Sequence, residues 1–309
     1  MKSYDVLILG SGPAGNTCAI YTIRAGLKTA IITGNDVGGQ LTITTDVENF
    51  PAFPEPINGA ELMNRFLKQS ENLGVEVIYD YVNSVDFSTY PYVCSTANGE
   101  KIECKNLVIA TGAKAKWLRL ESEKKYLGYG VSGCATCDGN FFRNKIVAVV
   151  GGGNTAGTDA LHLSNLASQV YIIYRKDNFF RMDKKLVERI NKNDKIRILF
   201  NSEVVEIIGT EQPKKVEKLK IINNKTQEIS ELAVNGLFIA VGRSPNTEIF
   251  KNTELKIDDD GYIETQPDST KTNLKHVYAV GDVMNKPFKQ AIVASAYGCI
   301  AGLEIQENI

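Results

Sequence analysis

The chain has 309 residues, of which 43% are hydrophobic and 23% are charged, and its formal net charge is −1. This length suggests about two domains, and the near-neutral charge argues against nucleic acid or an anionic membrane surface as the main partner. No apolar stretch approaches the length that spans a bilayer, and the short run after Lys2 fits a first strand better than a targeting segment.

Apolar runs of strand length recur along the chain without the apolar–polar alternation of half-buried strands. Such runs are typical of strands buried on both faces, as in a parallel sheet covered by helices. Several precede segments with helical periodicity, for example 154–167, so the pattern predicts an α/β fold. In chain order the runs are 5–9, 29–33, 106–111, 145–150, 170–174, 236–241 and 276–280.

The chain also repeats a unit made of a strand, a glycine-rich turn and a helical stretch. GSGPAG at 10–15 follows the first apolar run, and GGGNTA at 151–156 follows the fourth. The repeat predicts two Rossmann-like dinucleotide-binding domains, and connector residues near 112 and 242 suggest that the second is inserted into the first. The expected boundaries are 1–112 with 243–309 for the outer domain and 113–242 for the inner domain.

The first glycine motif is Gly10-x-Gly12-x-x-Gly15. Gly10 permits a tight turn, Gly12 lets a pyrophosphate approach the backbone, and Gly15 allows close packing of helix on strand. The helix N-terminus then presents partial positive charge to the phosphates. The usual ribose-binding acid is missing, because Thr33 and Gly34 end the next strand. An ordinary glycine turn is the alternative interpretation.

The second glycine motif is followed by a strand that ends in Tyr174, Arg175 and Lys176, with Arg181 close behind. An acid at this position would favour NAD, whereas cations would attract a ribose 2′-phosphate. The motif therefore predicts NADPH binding. A solvated basic loop is the alternative.

Cys134 and Cys137 are the only closely spaced cysteines in the sequence. Such a pair can form a small disulfide ring and is often reactive. The alternative is half of a structural zinc site, which needs two further ligands, but His162 and His276 are isolated. Asp138 follows the pair and is the nearest candidate proton donor for a released thiolate, unless it caps the next turn.

The other four cysteines, Cys18, Cys94, Cys104 and Cys299, stand alone, several of them in apolar segments. With no recognisable export signal, we expect most of them to be buried thiols and the protein to be cytoplasmic.

Taken together, these motifs resemble the low-molecular-weight thioredoxin reductases over essentially the whole chain. The segments that carry the resemblance occur in that family's order: GSGPAG, GGQLTITTDVENFP at 38–51, ATG at 110–112, CATCDG at 134–139, GGGNTA, GRSPNT at 242–247 and GDV at 281–283. The resemblance implies FAD in the outer domain, NADPH in the inner domain, a homodimer, and thioredoxin as the protein substrate. It also implies two domain orientations that alternate during turnover.

The resemblance also implies site residues, including Gln40, Asn49 and Gln290 at the flavin. Asp282 additionally ends an apolar strand, where an aspartate can hydrogen-bond a sugar alcohol. The expected catalytic residues are Cys134, Cys137 and Asp138. The expected cofactor-binding residues are Gly10, Ser11, Gly12, Pro13, Ala14, Gly15, Thr33, Gly34, Gly38, Gly39, Gln40, Leu41, Asn49, Ala110, Thr111, Gly112, Gly151, Gly153, Asn154, Thr155, Ala156, Arg175, Lys176, Arg181, Gly281, Asp282, Lys289, Gln290 and Ala291.

The phosphate-binding signature departs from the family pattern, which is His-Arg-Arg with a further arginine four residues later. Here Tyr174 and Lys176 replace two of those residues, and Arg181 lies five residues after Lys176. Two other functions stay open at this point. One is a related flavin disulfide reductase with a different electron donor or protein acceptor, and the other is a nucleotide-binding protein without turnover.

Overall fold

The computed structural model describes residues 1–44 and 46–308 and separates the chain into two compact units. Unit 1 comprises Met1–Lys114 and Ser244–Ile309, and unit 2 comprises Ala115–Arg243. These divisions fall two residues after position 112 and one residue after position 242, the boundaries expected from the sequence.

Strands and helices alternate along much of both units. In chain order they are β1 (Lys2–Leu9), α1 (Pro13–Arg24), β2 (Thr29–Ile32), α2 (Gly59–Asn72), β3 (Glu76–Ile78), β4 (Val82–Asp86), β5 (Tyr92–Thr96), β6 (Lys101–Ile109), β7 (Ala113–Ala115), α3 (Glu121–Tyr126), β8 (Val131–Ser132), α4 (Ala135–Asp138), β9 (Ile146–Val150), α5 (Asn154–Ser164), β10 (Gln169–Ile173), α6 (Lys184–Asn191), β11 (Ile196–Leu199), β12 (Ser202–Glu211), β13 (Lys214–Asn223), β14 (Ile229–Ala233), β15 (Gly236–Ile239), β16 (Arg243–Pro245), β17 (Val277–Ala279) and α7 (Ala291–Gln306). Short 3₁₀ turns occupy Gly39–Ile43, Gly139–Phe142, Glu248–Phe250 and Gly281–Val283.

Unit 1 is built on a seven-stranded sheet whose strands β3, β2, β1, β6 and β17 run parallel. The antiparallel strands β5 and β4 extend it along the first half of β6. Val6 and Ile8 face α1 and α7, while Leu7 and Leu9 face a core that includes Phe250. Both faces of β1 are therefore buried, as its unbroken apolar run predicts.

Unit 2 is built on a five-stranded parallel sheet in the order β11-β10-β9-β15-β8. One face packs on α5 through Val147 and Val149, and the other, which includes Ala148 and Val150, packs on the antiparallel sheet β12-β13-β14. The sequence analysis did not predict this second sheet, because its strands carry interspersed charged residues instead of unbroken apolar runs.

Within residues 1–44 and 46–308, no helix combines the length and the hydrophobicity that crossing a bilayer requires.

Candidate active site

The first glycine loop joins β1 to α1 at the carboxyl end of the parallel strands. Gly10 has a φ of +116°, and a Cβ placed on it would lie 2.3 Å from the carbonyl oxygen of Ala110. A Cβ on Gly15 would lie 2.0 Å from the carbonyl oxygen of Gly10. At Gly12, by contrast, the nearest atom to such a Cβ is the carbonyl oxygen of Gly38, at 4.0 Å. The fold thus requires glycine at 10 and 15, whereas at 12 it leaves open space beside the backbone.

The N-terminus of α1 faces the same space. Gly12 is its N-cap, Pro13 is its first residue, and among the described residues no side chain caps it. Helix α2 differs, because Asn58 Oδ1 accepts the N–H groups of Ala60 and Glu61 at 3.0 and 3.3 Å. An uncapped helix N-terminus keeps its N–H donors and partial positive charge available for an anion such as a pyrophosphate.

Ser11 fixes the shape of this loop. Its hydroxyl donates to the carbonyl oxygen of Thr33 at 3.0 Å and accepts the N–H of Gly38 at 2.9 Å. The Asn16 amide donates to the carbonyl oxygen of Ser11 at 2.6 Å. A Cβ on Gly39 would lie 3.8 Å from the Cα of Gly12, so the 38–39 turn lies directly beside the open space.

Other expected flavin residues meet in pairs around the same end of unit 1. The Asn49 amide donates to Gln290 Oε1 at 3.3 Å, although 241 positions separate the two residues. Lys289 Nζ donates to the carbonyl oxygens of Asp282 and Met284, at 3.1 and 2.6 Å. The structure therefore brings residues from both segments of unit 1 to one place.

The remaining expected residues of unit 1 lie in several different environments. A Cβ on Gly281 would lie 3.0 Å from the Cβ of Ala14. Thr111 and Asn246 exchange hydrogen bonds, from Thr111 Oγ1 at 2.8 Å and from Asn246 Nδ2 at 2.7 Å. Of the others, Gly34 and Gly112 have positive φ, Gln40 is exposed, Leu41 packs on a small apolar cluster, and Ala291 begins α7.

The second glycine loop repeats this geometry in unit 2. Gly151 has a φ of +150°, and a Cβ on it would lie 2.3 Å from the carbonyl oxygen of Ala240. A Cβ on Gly153 would meet no atom within 4 Å, in the part of the chain that the structure describes. Gly153 is also the N-cap of α5, again without a described capping side chain. Ala156 is fully buried beneath the loop, whereas Thr155 is exposed.

The basic loop follows β10 at the same edge of this sheet. The side chains of Arg175, Lys176 and Arg181 are exposed, and none of them forms an ion pair with any described residue. The backbone is held in place, because Asn201 N–H donates to the carbonyl oxygen of Lys176 at 2.9 Å and Asn224 Nδ2 donates to that of Arg175 at 3.0 Å. The three cations are thus available to an anionic ligand.

Cys134 and Cys137 form a disulfide with their Cα atoms 5.3 Å apart. Cys134 is the N-cap of α4, and its Sγ accepts the N–H of Cys137 at 3.2 Å. Its own N–H donates to Ser132 Oγ at 3.0 Å. Both cysteines are partly exposed. A backbone N–H at the sulfur stabilises negative charge there after reduction.

Asp138 ends α4 and precedes the 3₁₀ turn Gly139–Phe142, but its side chain makes no capping hydrogen bond to that turn. His162 on α5 lies nearby, since a Cβ on Gly139 would be 3.5 Å from its Cδ2. The sequence analysis missed this neighbour, because nothing in the sequence shows that α5 packs on the cysteine segment.

The other cysteines are unpaired, and Cys18, Cys94 and Cys104 are buried while Cys299 is partly exposed. Burial raises the pKa of the Cys18 thiol. A hydrogen bond with Cys94, together with burial, raises the pKa of Cys104 well above its ordinary value. Buried thiols of this kind are poor nucleophiles.

Comparison with known proteins agrees with this site. Residues 4–298 match the family described as pyridine nucleotide-disulphide oxidoreductase. A thioredoxin reductase of Rickettsia felis is 49% identical over 302 residues, which cover 98% of this chain and 97% of that protein. A thioredoxin reductase of Coxiella burnetii is 44% identical, with 100% of this chain and 97% of that protein covered.

Solved structures show the same likeness in three dimensions. The thioredoxin reductase from Giardia duodenalis has a TM-score of 0.95 to this chain at 36% identity, covering 99% of each chain. The thioredoxin reductase from Streptococcus pyogenes has a TM-score of 0.92 at 38% identity, covering 99% of this chain and 97% of that one. This chain therefore belongs to the pyridine nucleotide-disulphide oxidoreductase family and, within it, to the thioredoxin reductases.

Proposed function

We propose that this chain is an NADPH-dependent thioredoxin-disulfide reductase, in which electrons pass from NADPH through FAD to Cys134–Cys137 and then to thioredoxin. The partly exposed disulfide at the start of α4 is the observation that carries the proposal. Its two sulfurs are bonded to each other, which suits a redox role better than the zinc alternative. The similar proteins named thioredoxin reductase support the choice of acceptor.

We assign FAD to unit 1 and NADPH to unit 2. The open space at Gly12, the uncapped α1 and the Asn49–Gln290 pair support a flavin site in unit 1. The open space at Gly153 and the unpaired cations support NADPH in unit 2. FAD held there would supply the two-electron chemistry that links NADPH to the disulfide.

The cysteine chemistry follows from the pair itself. Reduction of the Cys134–Cys137 bond consumes two electrons and two protons and yields two thiols. One cysteine, as the thiolate, attacks the thioredoxin disulfide and forms a mixed disulfide. The other then displaces reduced thioredoxin and restores the Cys134–Cys137 bond. We assign the attack on the thioredoxin disulfide to Cys134, whose sulfur accepts a backbone N–H. We assign the exchange of electrons with the flavin to Cys137.

We propose Asp138 as the group that protonates the thiolate released from the disulfide. Asp138→Asn should therefore slow thioredoxin reduction by about 100-fold, within the usual range for loss of a general acid, while NADPH still bleaches the flavin. His162→Gln is the comparison variant, because His162 on α5 packs beside Gly139 and is the other titratable group near Asp138. If Asp138→Asn keeps normal turnover and His162→Gln loses it, the proton passes through His162.

We propose that Arg175, Lys176 and Arg181 bind the 2′-phosphate and select NADPH over NADH. A hydrogen bond to a charged group contributes about 1.5–3 kcal/mol, and solvent screening at an exposed side chain reduces that contribution. Arg175→Ala should therefore raise the KM for NADPH about tenfold and leave that for NADH nearly unchanged. Steady-state rates with the two donors test this, and equal changes would contradict it.

We also propose a homodimer located in the cytoplasm. Residues 291–303 of α7 contain no charged residue, and Ile292 and Leu303 are 42% and 46% exposed in the single chain. A helix that is apolar on all sides is normally covered, which supports a second copy on this side.

The reduced state of four of the six cysteines supports a reducing compartment. Light scattering and cell fractionation test the two proposals.

An anaerobic titration tests the function as a whole. The purified protein should be yellow, NADPH should bleach it, and oxidised thioredoxin should restore the colour. A protein that bleaches only with another donor, or that recolours only with another disulfide, would instead be the related flavin disulfide reductase.

A further inference from the structure

The segment 177–183 returns from the end of β10 towards the second glycine loop, and its two phenylalanines differ in exposure. Phe179 is buried, with its ring stacked on Tyr174 at 5.5 Å and edge-on to Phe200 at 5.0 Å. Phe180, the next residue, is 64% exposed. The aromatic stack beneath anchors the segment, so the ring of Phe180 is presented at the surface.

Phe180 lies between the basic loop and the glycine loop. Lys176 Nζ lies over its ring, 5.2 Å from the ring centroid. The next residue, Arg181, forms an isolated parallel bridge with Gly153, the open glycine of the second loop. The phenyl ring therefore lies between the second glycine loop and the basic loop, with the Lys176 ammonium over its face.

In a dinucleotide-binding unit the pyrophosphate lies at the glycine loop and the adenosine ribose lies at the end of the next strand. In unit 2 these places are Gly153 and the residues that follow β10. The adenine base then falls beside the ribose, where Phe180 offers a flat apolar surface. Stacking of a base on an aromatic side chain contributes about 1–3 kcal/mol to binding.

We propose that Phe180 is the platform on which the adenine of NADPH stacks, with Lys176 beside it at the 2′-phosphate. This inference rests on the proposed binding of NADPH in unit 2. An ammonium over an exposed ring is held weakly, so Lys176 turns to the phosphate when the nucleotide binds. Because most of Phe180 is exposed, the base can reach ring surface that Lys176 does not cover.

Single exposed aromatic residues are common and usually carry no function, and Tyr129 provides the comparison within unit 2. Tyr129 is 48% exposed and lies under Lys214, whose Nζ is 4.7 Å from the ring centroid. It precedes β8, which runs parallel to β15, so it lies at the amino end of the sheet, away from both the glycine loop and the basic loop. Tyr129→Ala is therefore a matched control.

The test measures binding of NADP⁺ and NAD⁺ to the oxidised, FAD-loaded protein by calorimetry. Phe180→Ala should weaken both nucleotides about tenfold, equivalent to about 1.4 kcal/mol, because both carry adenine. Phe180→Leu should lose as much, since it keeps apolar bulk but no aromatic face, whereas Phe180→Tyr should bind like the unaltered protein. Lys176→Gln should weaken NADP⁺ alone, and Tyr129→Ala should change neither.

Unchanged binding in Phe180→Ala would overturn the platform. A loss confined to NADP⁺ would also overturn it, because Phe180 would then act only by positioning Lys176. If the unaltered protein binds NAD⁺ but discriminates against NADP⁺, the proposed NADPH function fails while the platform is still tested by the NAD⁺ arm. The two proposals can thus fail separately.

Discussion

Replacing Cys134 or Cys137 by serine should abolish NADPH-dependent reduction of thioredoxin while NADPH still bleaches the flavin. Each cycle needs one sulfur to form the mixed disulfide and a second to resolve it, so neither cysteine can act alone. Stopped-flow bleaching and steady-state thioredoxin reduction measure the two halves separately.

Cys299→Ser is the control for this experiment, because Cys299 is the partly exposed cysteine outside the pair and should be replaceable without loss. Near-normal turnover in Cys134→Ser or Cys137→Ser would contradict the redox assignment. The two single variants also test the division of roles. The lone Cys134 in Cys137→Ser should react faster with a small aromatic disulfide than the lone Cys137 in Cys134→Ser, because a backbone N–H stabilises its thiolate.

Replacing Gly12 by valine should give a folded protein that purifies without FAD and is therefore inactive. The described structure leaves a side chain at this position unopposed, since the nearest atom to a Cβ is 4.0 Å away. The side chain would instead fill the space that the pyrophosphate needs. Gly12→Ala should show a graded effect, because a misfitting methyl group costs about 1–3 kcal/mol, equivalent to a loss of about five- to 150-fold in FAD affinity.

Two other glycines give the matched controls. Gly10→Ala should lower the melting temperature itself, because its Cβ would lie 2.3 Å from a backbone oxygen. Gly153→Val should keep FAD and thermal stability but lose the response to NADPH. Full flavin content in Gly12→Val would refute the placement of the pyrophosphate at this loop.

The sequence predicted the local features of the site, because each of them is formed by residues close together in the chain. Each glycine loop is a contiguous strand, turn and helix, and the structure gives the three glycines of the first loop distinct steric environments that match the roles inferred for them. The Cys134–Cys137 disulfide was also confirmed. It could be predicted because two cysteines three positions apart are a local feature of the sequence.

Contacts between residues that are far apart in the sequence could not be predicted from motifs and periodicity. The contact of Asn49 with Gln290 joins residues 241 positions apart, and only the family resemblance suggested that both belong to one site. The proximity of His162 to Gly139 depends on how α5 packs. The opposite exposure of Phe179 and Phe180 depends on the aromatic stack with Phe200, which sequence spacing does not reveal.

The discontinuity of unit 1 has a consequence for biosynthesis. Unit 2 is one uninterrupted stretch, Ala115–Arg243, whereas unit 1 needs β17 and α7 from the far end of the chain. Because domains fold as units while the ribosome adds residues in order, unit 2 can mature first. Until β17 and α7 emerge, the nascent protein leaves one edge of β6 open at Leu107–Ile109, although β1 pairs with the other edge, and it leaves the apolar face of α1 uncovered. Unit 1 is therefore complete only after translation of β17 and α7, and a stalled chain would expose an aggregation-prone strand edge.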